Sequence, residues 1–466
     1  MEDSTTKAAA PKVWHAGTLT YTTAGIVMLF VWLLWGDFTW SMKERAVGYV
    51  AALMVKSFGV SDLVYSLLIV SFPNFTNIFL GPIVSYMSDR HRGRFGRRIP
   101  FLFFTTPFVV IGLIGLGFSA PLGEWLQRLI GEDVISLNMA KLIAFSFFWI
   151  ILDFGTTLAN SIFVALANDV VPAGLIGRFL ALFRAVSLIC AVLFNYYLFG
   201  YAESHALYIF GGLGILYGIG LFSMCLKVKE GEYPPIPREE TGSAGRNALR
   251  STVDYFKQCF SLPYYRWVIA AFVICAVSVL PINVYVIFFV KKLNMSFADF
   301  GKLTALIFMV AFVMSFFLGM LADKYHPLRM GIVSMAILSV ILLVGGFLIK
   351  DIRSFSIVFF VQQIAIMSFN TLTASYGQRL FPKVIFAQFN SAMMLINAIV
   401  TMSLAPAVGY FLDVIGNDYR YIYLIGGIIG LAGLASLLVV YRYFLKFGGD
   451  KGYHAPLPPG ITVEMQ

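Results

Sequence analysis

The sequence is poor in charged and in reactive side chains. Charged residues make up 12% of its 466 residues, against roughly 25% in an average soluble domain, whereas 59% are hydrophobic. The five histidines lie in the tails or at the ends of apolar segments, and the chain contains no nucleophile elbow, HExxH motif or phosphate-binding loop. We therefore expect neither an enzyme nor an ATP-driven pump, and no metal or other cofactor.

Cysteine is also scarce and carries no pattern. The four cysteines form no CxxC pair, so they are expected to act as small apolar residues without a structural disulfide. The first 20 residues contain Lys7 and Lys12 but no short apolar segment with a cleavage site ahead of the first long apolar run. We expect no cleaved signal peptide.

The net charge of +10 has a simpler explanation than nucleic-acid binding. The basic residues that produce this charge fall in short gaps between apolar runs, where Lys and Arg act as topology signals. With a mean hydropathy of +0.81, the chain is expected to be a multi-pass protein of a cell membrane, inner or plasma, with no nucleic-acid partner. Segments on the side of the N-terminus hold more than twice as many Lys and Arg as the opposite side, which predicts that both termini are cytoplasmic.

The apolar runs predict an all-α membrane protein with twelve transmembrane helices in two six-helix halves. A membrane-spanning helix needs about 20 apolar residues. The predicted parts are an N-tail (1–21), an N-terminal half (22–227), a cytoplasmic linker (228–262), a C-terminal half (263–446) and a C-tail (447–466). The predicted spans are 22–56, 62–88, 99–119, 138–168, 174–201, 205–227, 264–292, 297–322, 328–349, 352–380, 386–412 and 418–446.

The two halves repeat features at matching places, as in transporters built from internal repeats. The second span ends with Ser85 four residues before Asp89, and the eighth ends with Gly319 four residues before Asp323. A proline follows both the fourth and the tenth span. These matches favour a transporter.

The loop after the second span carries a family resemblance. Its sequence, GPIVSYMSDRHRGRFGRRIPF, resembles the loop motif of the major facilitator superfamily, although Ser85 stands where the superfamily prefers glycine. The run RFGRRIPF at 94–101 is similar to the RxGRRxPF run of plant sucrose transporters and their animal and bacterial relatives, which neighbour the glycoside, pentoside and hexuronide cation symporters. The resemblance implies the twelve-span superfamily fold and a transporter that works as a monomer.

The same loop is a candidate gate. An acid at the C-terminal end of a helix meets the negative pole of the helix dipole and needs compensating cations. In the family such charges latch the cytoplasmic side, and the resemblance implies this role for Asp89, Arg90, Arg97 and Arg98, with Asp323 in the second copy. The alternative that the arginines only set the topology stays open.

Acidic residues also lie deep inside the predicted spans. Asp37 and Asp153 fall near the middle of the first and fourth spans, and Arg184 in the fifth lies within reach of Asp153. A charge at the bilayer centre costs about 2.5 to 3.5 kcal/mol on insertion scales, so it usually has a partner or a function. Sucrose transporters carry a proton-accepting acid on helix four and an arginine on helix five. The resemblance implies a proton-coupling pair of Asp153 and Arg184. Asp37 is not matched to a family acid, and its place in the proton-coupling set rests on its depth in the span alone.

Several polar and aromatic residues are candidates for substrate binding. Residues seven apart share a helix face, and in the family spans one, four, seven and ten line the central cavity. Amides and carboxylates bind hydroxyls, and tryptophan packs on the apolar face of a sugar ring. The candidates are Asp37, Trp40, Trp149, Asn160, Asn283, Gln363 and Asn370. Structural roles, as interhelical bonds or interface anchors, stay open for each. Glu44 with Lys43 is expected to form a solvated pair at the outer mouth.

The predicted function is proton-coupled symport of a sugar or glycoside by alternating access. Asn74 and Asn77 stand on the second span, where symporters of the melibiose type carry acids that hold sodium, so H+ is favoured over Na+. Two alternatives stay open: a proton-coupled exporter of amphipathic solutes, and a non-transporting membrane sensor or assembly factor.

Overall fold

The computed structural model describes residues 13–233, 257 and 259–458. Within these residues, twelve helical segments are long and apolar enough to cross a membrane, which confirms the predicted twelve-span fold. They are numbered here as spans 1 to 12: Thr23–Ser57, Asp62–Arg90, Ile99–Gly117, Leu137–Val170, Ala173–Tyr201, Ala206–Lys227, Pro263–Lys292, Phe297–Ala322, Pro327–Leu348, Ile352–Leu380, Phe386–Val414 and Tyr421–Lys446.

Short elements flank the spans. Strands β1 (Val13–Ala16) and β2 (Leu19–Thr22) form an antiparallel hairpin before span 1, which the sequence analysis did not predict. Further helices are Ser119–Ile130 after span 3 and Gly449–Gly452 after span 12.

Four spans are interrupted helices. Span 7 breaks at Val279 into Pro263–Ser278 and Leu280–Lys292, because Pro281 lacks an N–H to bond the preceding turn and its ring clashes with the carbonyl there. The other segments are Asp62–Ser66, Leu67–Ser71 (π) and Phe72–Arg90 in span 2; Ala173–Leu175, Ile176–Leu193, Phe194–Leu198 (π) and Phe199–Tyr201 in span 5; and Ile352–Leu372 and Tyr376–Leu380 in span 10.

Side-chain caps define where several helices begin. The hydroxyls of Ser136 and Ser296 each accept the backbone N–H three residues later, and Asp351 with Ser354 forms a reciprocal capping box. These bonds satisfy N–H groups that have no partner within the helix. The hydrogen bond from the Ser354 N–H also lowers the pKa of Asp351 below its usual value.

The described residues divide into two compact units. Unit 1 contains residues 13–51, 79–194 and 204–233, and unit 2 contains residues 52–78, 195–203, 257 and 259–458. The end of span 1, the start of span 2 and the end of span 5 therefore belong to unit 2. The division of the sequence at a central linker stays a prediction.

In unit 1, a close helix contact fixes the position of one candidate acid. A Cβ atom added to Gly112 in span 3 would lie 2.7 Å from Cα of Leu152 in span 4, so any side chain there would force the two helices apart. Asp153 follows Leu152 directly. The glycine contact therefore holds Asp153 at a defined height in the unit.

In unit 2, a hydrogen-bonded cluster joins the start of span 2 to the end of span 11. The Asp413 carboxylate accepts the N–H groups of Asp62 (2.8 Å) and Leu63 (2.9 Å). The buried Asp62 carboxylate accepts hydrogen bonds from Lys56 Nζ (2.5 Å) and Asn417 Nδ2 (2.8 Å). Because both acids are paired or bonded, their burial is tolerated.

We expect Asp413→Ala to lower the free energy of unfolding by about 1 to 2 kcal/mol, since it removes a helix cap from span 2. Thermal unfolding of the purified protein in detergent measures the loss. Asp418→Ala is the matched control, because Asp418 bonds the exposed Arg420 and exposed ion pairs contribute only about 0 to 1 kcal/mol. Equal destabilisation by the two variants would contradict the capping role.

Candidate functional site

Both predicted intramembrane acids are buried inside unit 1. Asp37 is 1% exposed and Asp153 is 9% exposed. One carboxylate oxygen of Asp37 accepts a hydrogen bond from Ser41 Oγ at 3.4 Å. Its other oxygen is buried and has no hydrogen-bond partner among the described residues. The second oxygen is thus available to a ligand that donates a hydrogen bond.

Lys43 lies on the same span as Asp37 and is 1% exposed. Its Nζ atom lies 3.9 Å from the centroid of the Trp40 ring and 3.4 Å from Thr156 Oγ1, and it interacts electrostatically with Glu44 and Asp153. The expectation of a solvated Lys43 is therefore wrong. Glu44 is exposed, and its carboxylate accepts a hydrogen bond from Trp40 Nε1–H at 2.9 Å. The sequence signal that identifies Lys43 is its i, i+3 spacing from Trp40, which places both on one helix face.

The two candidate tryptophans have different surroundings. Trp40 is stacked on Phe163 with ring centroids 6.3 Å apart and also carries the Lys43 ammonium over its ring. Trp149 is stacked on Phe145 at 5.8 Å. Both tryptophans are buried, so neither is an exposed interface anchor. Both rings have internal contacts, and packing of either ring on a ligand stays a prediction.

The remaining candidates fall into two groups. Asn160 and Arg184 belong to unit 1, and the side chains of both are exposed. Asn283, Gln363 and Asn370 belong to unit 2, where Gln363 is half-buried and the two asparagines are exposed. Their roles in substrate binding, and the pairing of Arg184 with Asp153, stay predictions.

The predicted gate residues form part of a charged cluster in unit 1. Arg97 Nη2 bonds Asp169 Oδ1 at 2.7 Å, and Arg98 Nε bonds Asp169 Oδ2 at 3.1 Å. Arg98 also forms an ion pair with Asp89. We call Asp89, Arg97, Arg98 and Asp169 the loop cluster. Asp169 was missed by the sequence analysis because it lies 71 residues beyond Arg98 and has no recognisable motif.

The other two gate candidates are Arg90 in unit 1 and Asp323 in unit 2. The Arg90 guanidinium lies 4.4 Å from the centroid of the Tyr86 ring. The side chain of Asp323 lies outside the described part of the structure. The gating role of the set stays a prediction.

Glu230, just after span 6, holds the loop cluster in place. Its carboxylate accepts the backbone N–H groups of residues 97–99 at 3.0, 2.8 and 2.6 Å and the Tyr233 hydroxyl at 3.0 Å. Burial, with the nearby Glu230 and Asp169 carboxylates, raises the pKa of Tyr233, so this hydroxyl stays protonated and donates. Gly96 is required here, because its φ is +96° and a Cβ would lie 2.5 Å from the Glu230 side chain.

Together, twelve membrane spans and a set of charges buried inside them define a multi-pass membrane protein of the transporter type. The chain belongs to the Major Facilitator Superfamily, whose family model matches residues 22–402 and 267–451. This confirms the superfamily resemblance. No curated protein sequence matches the chain.

Solved structures share the fold at low sequence identity. A bacterial homologue of the human lysosomal transporter Spinster has a TM-score of 0.66 and 14% identity, over 90% of this chain and 97% of that one. A peptide transporter, POT, has a TM-score of 0.65 and 17% identity, over 90% and 94%. A D-xylose–proton symporter has a TM-score of 0.59 and 14% identity, over 94% and 100%. The narrower likeness to sucrose transporters stays a prediction.

We expect Glu230→Ala to destabilise the protein by about 1 to 3 kcal/mol, because it leaves the N-terminus of span 3 without its anionic cap. Glu232→Ala is the matched control, since the Glu232 side chain is exposed two residues away. Melting temperatures of both variants in the same detergent are the measurement. Unchanged stability in Glu230→Ala would show that water replaces the carboxylate without loss.

Proposed function

We propose that the protein is a secondary active transporter of a cell membrane that couples proton movement to the symport of a sugar or glycoside. The observation that carries this proposal is the burial of Asp37, Lys43 and Asp153 within membrane spans of unit 1. Ionisable groups in membrane spans are costly and mark ion or substrate pathways. The D-xylose–proton symporter that shares the fold is an example of such coupling.

Asp153 is the proposed proton acceptor. In its ionised form, Asp153 acts with Glu44 to offset the positive charge of the Lys43 ammonium, which contacts the Trp40 ring and the Thr156 hydroxyl. Protonation of Asp153 removes that negative charge while Lys43 stays buried. The resulting change in local electrostatics favours a different conformation, which is the requirement for alternating access.

The substrate ligands of unit 1 are the Asp37 carboxylate and the Trp149 ring. The buried Asp37 oxygen without a partner suits a sugar hydroxyl, since carboxylates accept strong hydrogen bonds. Trp149 offers an apolar ring surface to the C–H face of a pyranose. Asn283, Gln363 and Asn370 would supply amide donors and acceptors from unit 2.

Asp153→Asn is expected to retain sugar counterflow in proteoliposomes but to lose accumulation driven by a pH gradient at least tenfold, because the amide cannot take up the proton. Counterflow needs only binding and reorientation, so it separates coupling from folding. Asp299→Asn, at an exposed helix start, is the control. Undiminished accumulation by Asp153→Asn would exclude Asp153 as the proton site.

The same proteoliposomes separate the alternatives. A panel of sugars with and without a pH step tests symport, and replacement of the proton gradient by a sodium gradient tests the ion. Competition by cationic dyes, with no competition by sugars, would instead indicate an exporter of amphipathic solutes. Absence of counterflow for every solute would indicate a membrane sensor.

Lys43→Met is expected to reduce pH-driven uptake at least tenfold and to alter the pH profile of uptake, because Asp153 loses its buried cationic neighbour. Lys43→Arg should restore part of the coupling, since it keeps the charge but not the compact shape of the ammonium. Lys302→Met is the control, as Lys302 is exposed on span 8. A Lys43→Met variant with the unmodified pH profile would contradict the assigned role.

A further inference from the structure

Unit 2 contains a cavity of about 240 Å³ between spans 7, 9, 10 and 12. Its inner wall includes the buried side chains of Cys275, Leu338 and Leu437. The half-buried Phe272 and Phe369 also line it. The lining is mainly aliphatic and aromatic, so the cavity favours an apolar occupant over water.

The size of the cavity indicates what it would hold. An engineered apolar cavity of about 150 Å³ binds benzene and stays free of water. At 240 Å³, this cavity has room for one aromatic ring with a small substituent, or for a short branched alkyl group. The space is partly open, and an apolar group that fills it would gain van der Waals contacts with the lining.

Polar atoms lie beside this apolar space on span 10. The side chain of Asn370 lines the cavity, is exposed, and forms no hydrogen bond within the described part of the chain. This amide at the edge of an apolar lining suits a ligand with both an apolar ring and an oxygen atom.

We propose that this cavity binds the apolar aglycone of a glycoside, with the Asn370 amide bonding an oxygen of the attached sugar. The inference deepens the proposed function, because it names the class of sugar derivative that the transporter prefers. The sugar part of the assignment rests on that function, whereas binding of an apolar ring to the cavity does not.

Matched pairs of glycosides test the preference. For each sugar that the protein transports, the phenyl glycoside should inhibit counterflow at a concentration at least tenfold lower than the methyl glycoside, because a phenyl ring buries more apolar surface. Ala276→Leu, which fills the cavity, should reduce the difference to less than threefold. Ala270→Leu is the control on the same helix, outside the lining. Equal inhibition by the two glycosides, or an undiminished difference in Ala276→Leu, overturns the proposal.

A second measurement needs no substitution. Cys275 lines the cavity, whereas the buried Cys259 does not, so alkylation of both thiols by N-ethylmaleimide can be followed by peptide mass spectrometry of the unmodified protein. A phenyl glycoside should slow alkylation of Cys275 at least threefold and leave Cys259 unaffected. Equal effects on the two thiols would show a general change in the protein and would overturn the proposal.

Benzyl alcohol, a ring with one hydroxyl and no sugar, separates this inference from the proposed function. If it slows alkylation of Cys275 selectively while no sugar is transported, the cavity binds apolar rings and the sugar assignment fails. If methyl glycosides are transported and neither benzyl alcohol nor a phenyl glycoside affects Cys275, the symport stands and the cavity assignment fails.

Discussion

The contact of the Lys43 ammonium with the Trp40 ring is the interaction on which the proposed chemistry depends. A lysine is rarely fully buried unless it is paired. In unit 1, the ring at 3.9 Å, the Thr156 hydroxyl and the nearby Glu44 and Asp153 carboxylates together replace water around Lys43. A cation over a desolvated ring gains roughly 2 kcal/mol, less than the cost of burying an ammonium without an anion. The cation–π contact alone is therefore insufficient. The charge state of Asp153 becomes a determinant of the stability of this region, which is the property that proton coupling requires.

The loop cluster shows a related constraint at a helix end. Arg97 and Arg98 form ion pairs with Asp169. The N-terminus of span 3 also has N–H groups without a partner inside the helix, and the Glu230 carboxylate accepts hydrogen bonds from three N–H groups there. A single side chain beyond span 6 thus fixes the geometry of a loop that precedes span 3. Movement of the segment at residue 230 would release both the helix cap and the contact with Gly96. The loop cluster is consequently coupled to the chain that follows span 6, and this coupling is stronger than ion pairs between exposed side chains would provide.

The span architecture was predictable because a bilayer leaves the backbone few alternatives: every N–H and C=O in the apolar core must be bonded internally, which selects long helices. The burial of Asp37 and Asp153 was predictable from their depth, because a charged side chain is costly in contact with lipid. Cross-helix contacts were not predictable, because they join residues far apart in sequence. Lys43 and Thr156 are separated by 113 positions, and Asp413 bonds the N–H of Asp62 across 351. The sequence places Lys43 on a helix but does not show which neighbouring helix covers it. Its burial is therefore visible only in the packed structure. The β1–β2 hairpin was missed because four-residue strands are too short for a periodic pattern.

The buried ionisable candidates and most of the candidate amides belong to different units, and this distribution limits how coupling can work. In unit 1, the ionisable candidates are Asp37, Lys43 and Asp153. In unit 2, the predicted ligands are amides, Asn283, Gln363 and Asn370, whose charge does not change with pH, and the cavity beside Asn370 is apolar. Under the proposed function, a proton acts on the first set and an apolar aglycone on the second. A proton at Asp153 and an aglycone in unit 2 then do not compete for one carboxylate. The link has to come from a conformational equilibrium that both events bias, and each contributes only as much as its affinity differs between the two conformations.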